Sequence, residues 1–398
     1  MTIDIETIRR QTPGVREVVH FNNAGAGLMP DRVLDAQIRY LELEARIGGY
    51  EATDREAMRI DAVYDSVARL TGAGRDEIAL AENATAAWDM AFYSLAFAPG
   101  DRILASQVEY AANYVAFLQV AERTGAVVEV IPSNGDGETC PDALAAMIDD
   151  RVRLISLTWI PTNGGLVNPA TEIGAVARAH GIPYLLDACQ AAGQVPIDVE
   201  ALGCAVLTAT GRKFLRGPRG TGFLYMRRDL LRTAEPPTID HFAAPWVAPD
   251  RYELRPDARR FETWENNYAA RLGLGAAVDY ALDIGIGAIW TRVRALGERL
   301  RATLADIPGV HLHDIGRTRC GIVTLSIDGV DPLAANAALG EQRINVSVSR
   351  PSSTLLDARA RHLPPVIRAS VHYYNDEDEI ARFAAAIAAL RRMKGPRP

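Results

Sequence analysis

Lysine is nearly absent from this chain: only Lys213 and Lys394 stand among 43 Lys+Arg residues. Arginine substitutes wherever a solvated positive charge is enough, but its guanidinium does not deprotonate and cannot form an imine with an aldehyde. Cysteine is also scarce. Cys140, Cys189, Cys204 and Cys320 show neither CxxC pairing nor zinc-site spacing, which argues against a disulfide scaffold and a metal centre. There is no basic run, and the formal net charge is −7, so nucleic acid is not an expected partner. No stretch approaches the length of a bilayer span, and the first residues lack an apolar signal core, so a cytoplasmic protein without membrane contact is expected. Apolar material is plentiful at 48% of 398 residues, enough for one large two-lobed unit or two domains.

The first two-thirds alternate helical patterns with short β-branched runs, the pattern of an α/β protein with a parallel sheet covered by helices. Strands are predicted at 102–105, 127–131, 154–157, 184–186, 205–209 and 222–225, and helices at 31–46, 55–70, 85–96, 111–122, 141–147 and 169–179. Five prolines between Pro236 and Pro256 break the pattern and predict a mobile or active-site loop. A long helical segment is predicted from Tyr268 to about Ala305. Beyond it lies a smaller lobe with strands near 322–327, 345–348 and 367–372 and a last helix from Asp376 to Met393. We expect a large domain over 16–265 and a small one from 1–15 and 266–398.

Lys213 follows an apolar strand and precedes the glycine-rich Arg216-Gly217-Pro218-Arg219-Gly220. A nucleophilic amine at a strand end suits Schiff-base chemistry. Lys394 lies in the polar tail. Asp187 ends the apolar run Ile-Pro-Tyr-Leu-Leu, where a carboxylate can keep a pyridine nitrogen protonated or simply cap a helix. Gln190 can meet the ring's phenolic oxygen or complete a capping box. Asn83-Ala84-Thr85 opens a helix whose free N–H groups could cradle a phosphate, and Thr210 and Arg212 flank Lys213 closely enough to join them. The Gly217–Gly222 loop holds neither GxxxxGK[ST] nor a GxGxxG turn, which disfavours a nucleotide site.

Taken in order, these residues resemble the class V aminotransferase superfamily of fold-type I pyridoxal phosphate (PLP) enzymes, which includes cysteine desulfurases, selenocysteine lyases and isopenicillin N epimerase-like proteins. The resemblance runs from Phe21-Asn22-Asn23-Ala24-Gly25 to Arg368-Ala369-Ser370-Val371 and is sharpest at Asp187-Ala188-Cys189-Gln190 and Thr210-Gly211-Arg212-Lys213. It implies a mostly parallel, seven-stranded-type sheet with a smaller C-terminal α/β domain. It also implies PLP on Lys213, Asp187 at the ring nitrogen, Gln190 at the ring oxygen, and Ala84, Thr85, Thr210 and Arg212 at the phosphate. Tyr110 stands where desulfurases carry a stacking histidine. It keeps the aromatic face but cannot shuttle protons near neutral pH, which leaves that work to Lys213.

By the same resemblance Arg368 grips the substrate α-carboxylate, with Asn23 and Tyr50 nearby. The loop Pro161-Thr162-Asn163-Gly164-Gly165 contacts cofactor and substrate through Asn163 or, in the neighbouring register, Thr162. The stretch Val346–Thr354, where desulfurases place a persulfide-forming cysteine, has none. Arg350 and Ser352 are its candidate substrate contacts. A homodimer is implied, with residues 260–267 reaching the neighbour's phosphate through Asn266, Asn267 or a backbone N–H, since Glu265 would repel an anion. The expected activity is β-elimination from a cysteine-like α-amino acid. Transamination or epimerisation is the alternative, and a non-catalytic PLP-binding module is the rival of another class.

Overall fold

The computed structural model describes residues 3–392; Lys394 and the predicted helix end at Met393 lie outside them. The large lobe is built on seven strands: β1 (Ile78–Ala81), β2 (Arg102–Ser106), β3 (Val127–Ile131), β4 (Val152–Thr158), β5 (Tyr184–Asp187), β6 (Val206–Thr210) and β7 (Gly222–Met226). Across the sheet the order is β1-β7-β6-β5-β4-β2-β3. Strand β7 runs antiparallel to both neighbours, and every other pair is parallel. The central strands are buried on both faces, so their residues divide between two cores with period two. Leu154, Leu185 and Val206 enter one core, while Ile155, Leu186 and Leu207 enter the other.

Helix α1 (Asp31–Ile47) buries Val33, Ala36, Tyr40 and Leu43 at helical spacing and stops at Gly48, whose φ of 100° a residue with a Cβ would resist. α2 (Gly49–Thr71) follows directly, so Tyr50 lies on a helix rather than a loop. α3 (Ala84–Phe92) and α4 (Ala111–Thr124) connect strands of the sheet. The predicted long helix breaks at Gly285 into α5 (Tyr268–Ile284) and α6 (Ile286–Ala305), bent by 80°. Edge strand β1 has no counterpart among the predicted elements. The proline-rich stretch holds an antiparallel hairpin, Trp246–Ala248 with Arg251–Tyr252. Among the described residues no single helix is long and apolar enough to cross a membrane.

The small lobe carries a four-stranded antiparallel sheet of Val310–Leu312, Ile322–Ile327, Val366–Ser370 and Ser347–Ser349, in that spatial order. Its core takes in Val19 and Phe21, and Val19–His20 pairs in parallel with Ile344–Asn345. Helix α5 packs on α1 and α2. Helix α6 lies against the small lobe's sheet. The N-terminal strand joins this lobe because it pairs with a partner more than 300 residues away in sequence, as the Val19↔Ile344 register requires.

Candidate functional site

The parallel strands end on one side of the sheet, where the sequence places Ser106, Thr158, Asp187 and Thr210. Ligands of open α/β sheets collect outside such carboxyl ends. A cavity opens there, lined by Asn83, Ala84, Thr85, Tyr110, Thr158, Ile160, Thr162, Asp187, Cys189, Gln190, Thr210, Arg212 and Lys213. Eight of the expected cofactor-site residues thus meet in one place: Ala84, Thr85, Tyr110, Asp187, Gln190, Thr210, Arg212 and Lys213.

Asn83 is the N-cap of α3, its side chain accepting from Ala86 N at 2.9 Å, and the first N–H groups of the helix face the cavity as an anion seat. Gly222 packs beneath this turn; a Cβ there would lie 2.7 Å from the Asn83 carbonyl carbon and 2.9 Å from Ala84 N. The Thr210 hydroxyl donates to Thr221 O at 3.2 Å, and Arg212 donates to Gly25 O, tying the Lys213 loop to the N-terminal segment.

Asp187 is buried. Its Oδ1 accepts from Cys189 N at 2.9 Å and its Oδ2 from Asn113 Nδ2 at 3.0 Å. Burial lowers the Lys213 amine from its ordinary value; Cys189 and Asp187 oppose the shift, and the charges of Arg212 and Arg368 add to it. Arg368, buried on its strand, donates to Thr162 Oγ1 at 2.6 Å and to Thr162 O at 3.2 Å, while its Nε has no partner. Burial, then the Arg212 charge, lowers it to about 10.

Three basic groups thus crowd a buried site against one carboxylate that lines the cavity, Asp187. The unpartnered Arg368 Nε and Gln190 Oε1 add unfilled hydrogen-bonding capacity, which buried polar atoms rarely leave unused. A ligand carrying a phosphate, a carboxylate and an aromatic nitrogen fits this donor set. The residues present therefore fit PLP together with an amino acid.

Other expected residues lie elsewhere. Asn163 is absent from the cavity lining. Its amide donates to Thr354 Oγ1 at 2.8 Å and Arg350 O at 3.1 Å, and it accepts from Ser349, so it pins the 346–354 loop while Thr162 faces the cavity. A one-residue shift of register in an irregular segment decides this. Asn23 is buried and fully engaged: it donates to Ser370 O at 2.7 Å and His20 O at 3.2 Å and accepts from the Tyr374 hydroxyl. Its role here is to join the lobes.

Tyr50 is 73% exposed and lines a different cleft with Glu44, Glu82 and Trp264. Arg350 and Ser352 are exposed and outside the cavity lining. In the 260–267 segment, Asn267 caps α5 through Ala270 N, and Asn266 is bound to Thr263 O and Arg271. Thr263, Trp264 and Glu265 remain exposed.

Thr158, Ile160 and Cys189 also line the cavity; of these, Thr158 carries a sequence signal as the end of an apolar strand. Burial and the Asp187 charge raise the Cys189 thiol well above its usual value. All four cysteines are free, and none lies on the 346–354 loop.

Residues 19–383 match the family model Aminotransferase class-V. A probable cysteine desulfurase of Methanothermobacter thermautotrophicus is 30% identical, covering 98% of both chains. The apo structure of a cysteine desulfurase from Thermococcus onnurineus NA1 superposes with a TM-score of 0.90 at 25% identity, covering 99% of both chains. The cystine C–S lyase C-DES, solved with its product cysteine persulfide, gives 0.85 at 26% identity over 95% of this chain and 99% of that one. A C-DES variant carrying glycine covalently linked to the PLP cofactor gives 0.86 at 26% identity over 96% and 98%.

Proposed function

We propose that this chain, which belongs to the class-V aminotransferase family and is a PLP-dependent enzyme, cleaves the Cβ–S bond of a cysteine-like α-amino acid and releases the sulfur without passing it to a thiol of its own. The observation that carries this reading is the chemistry of its cysteines. The 346–354 loop offers no thiol, and Cys189, the one cysteine in the cavity lining, has a thiol pushed far above neutrality. A thiolate is what persulfide formation needs. The likeness to C-DES, a cystine C–S lyase, supports the same class of reaction.

Bound in the cavity, PLP would supply an aldehyde for the substrate amine and a ring able to take up the electrons of the Cα–H bond. The residues of the chain hold and move everything else. Ala84 and Thr85 N–H groups, the Thr210 hydroxyl and Arg212 would hold the phosphate. Asp187, fixed by Asn113 and Cys189 N, would accept the ring N–H and keep that proton in place. Gln190 would meet the ring oxygen, and Tyr110 would cover the ring. Arg368, oriented by Thr162, would offer its unpartnered Nε and a second N–H to the α-carboxylate. The Lys213 amine, less basic than in water, is the base that removes the Cα proton.

The site supports a homodimer. Leu34, Ile38 and Leu41, spaced along one side of α1, are exposed, and Leu41, Tyr50 and Trp264 line one cleft, apolar surface of the kind that marks an interface. The exposed Thr263, Trp264 and Glu265 are the stretch free to reach a second copy. Four unpaired thiols suit the reducing cytoplasm. Incubating the holoenzyme with L-cysteine, L-cystine and S-alkyl cysteines tests the reaction. Pyruvate and ammonia without a keto-acid acceptor, and no added sulfur on the protein by mass, are expected. Loss of the yellow band to the amine form of the cofactor would establish transamination instead, and deuterium uptake at Cα with the amino acid otherwise intact would establish epimerisation.

A further inference from the structure

Behind the cavity a second carboxyl, Glu109, is 3% exposed and takes no part in the chemistry above. It accepts hydrogen bonds from the Thr158 hydroxyl, from Asn113 Nδ2 at 2.9 Å, and from Ser106 Oγ at 3.1 Å. Two of these donors are shared with the site. The same Asn113 nitrogen donates its other hydrogen to Asp187 Oδ2 at 3.0 Å. The Thr158 oxygen accepts from the backbone N of Tyr110 at 3.2 Å, and Thr158 is the residue paired with Asp187 across the parallel strands β4 and β5.

We propose that Glu109 is a positioning residue whose single buried carboxyl, through Asn113 and Thr158, joins the carboxylate at the edge of the cofactor ring to the aromatic side chain on its face. The inference rests on the roles given above to Asp187 and Tyr110. Asn113 has only two amide hydrogens, and both are spent on carboxylates, so removing one acceptor frees the amide to turn away from Asp187. Thr158 loses its orientation in the same way, and the start of α4 that carries Tyr110 loses an anchor.

No basic side chain bonds Glu109 among the described residues; the titratable groups that face it are Asp187 and Tyr184. Burial first, with the Asp187 charge adding to it, raises the Glu109 carboxyl above the usual carboxylate range, against the three donors that pull it down. In the acid form Oε2–H donates to Ser106 Oγ, while Oε1 still accepts from Asn113 and Thr158. The pair then carries one negative charge, on Asp187, where the ring nitrogen needs it. Glutamine reproduces this acid form atom for atom, its Nε2 donating to Ser106 and its Oε1 accepting twice.

Glu109→Gln and Glu109→Ala holoenzymes separate positioning from charge, read by the visible circular dichroism of the cofactor band and the pH midpoint of its absorbance transition. Glu109→Gln is expected to keep both, whereas Glu109→Ala weakens the dichroism by about twofold or more and moves the midpoint by about one unit, as displacement of the Asp187 carboxylate from the ring nitrogen would. The proposal is overturned if the alanine variant matches wild type, or if glutamine is as damaging as alanine, which would make the charge and not the placement decisive. Should Glu109→Ala fail to fold, Thr158→Val and Thr158→Ser make the same comparison. Valine must reproduce the spectral loss and serine must restore the band, and any other outcome refutes the scheme. Wild-type protein that shows no cofactor band would instead sink the cofactor assignments on which the proposal rests.

Discussion

Arg368→Met should cripple turnover while costing the apoprotein little stability, if the guanidinium serves a ligand as proposed. The native arginine is buried, donates to Thr162 Oγ1 and Thr162 O, and leaves Nε unpartnered. Its drop from 12.5 to about 10 corresponds to about 3 kcal/mol against the charged form. At neutral pH, below both values, that cost is present in full. The two bonds to Thr162 return about 1.5–3 kcal/mol each, enough to offset that cost. Replacing the charge by an apolar chain of similar length removes the cost and the bonds together, and should lower unfolding free energy by no more than about 3 kcal/mol. Substrate loses two charge-assisted hydrogen bonds of about 1.5–3 kcal/mol each, which is roughly 10²- to 10⁴-fold in kcat/KM. Urea unfolding of the apoproteins and pyruvate release from a cysteine-type substrate measure the two sides. An apoprotein destabilised by more than about 3 kcal/mol, with kcat/KM within about threefold of wild type, would show that Arg368 serves the fold and refute the reasoning.

Asp187→Asn keeps the partners Asn113 and Cys189 N within reach but removes the charge; kcat should fall by about 10- to 100-fold, a loss of ~1.4–2.7 kcal/mol, with KM nearly unchanged in steady-state kinetics. Glu262→Gln attacks a buried knot, since Glu262 accepts from Arg271 at 2.7 Å, Leu80 N at 2.9 Å and the Tyr64 hydroxyl at 2.9 Å. Leaving Arg271 uncompensated should cost about 3 kcal/mol in chemical denaturation; a cost under about 1 kcal/mol would contradict the assignment. For Lys213 the sign follows from a base whose folded value is depressed below 10.5 by burial. Between the two values the unfolded chain binds more protons, so the lysine's contribution to apoprotein stability rises with pH through that window. The rate of PLP capture by the apoprotein should accordingly reach its midpoint below pH 10.5, and a midpoint at or above it would be inconsistent with the desolvated amine.

The six strands predicted for the large lobe appear in place because parallel strands buried on both faces read as short apolar runs. The seventh, Ile78–Ala81, escaped because Ile-Ala-Leu-Ala is as compatible with a helix as with an edge strand. Residues 268–305 read as one continuous helix because a single glycine is tolerated inside a helical pattern; the turn at Gly285, with φ of 92°, comes from packing α5 on α1 and α2 while α6 turns to the small lobe.

What the sequence determined by itself is the chemistry: one lysine at a strand end, an aspartate ending another strand, a helix start preceded by asparagine, and a loop without cysteine. Those signals are local, fixed by a residue type and its position in an element. Only the tertiary structure decided which neighbours share the site. It placed Thr162 and not Asn163 at the cavity, spent Asn23 on joining the lobes, and linked Glu109 to Asp187 through one amide. Hydrogen bonds between side chains far apart in sequence depend on register and packing, and these arise from the burial of whole faces that no single segment encodes.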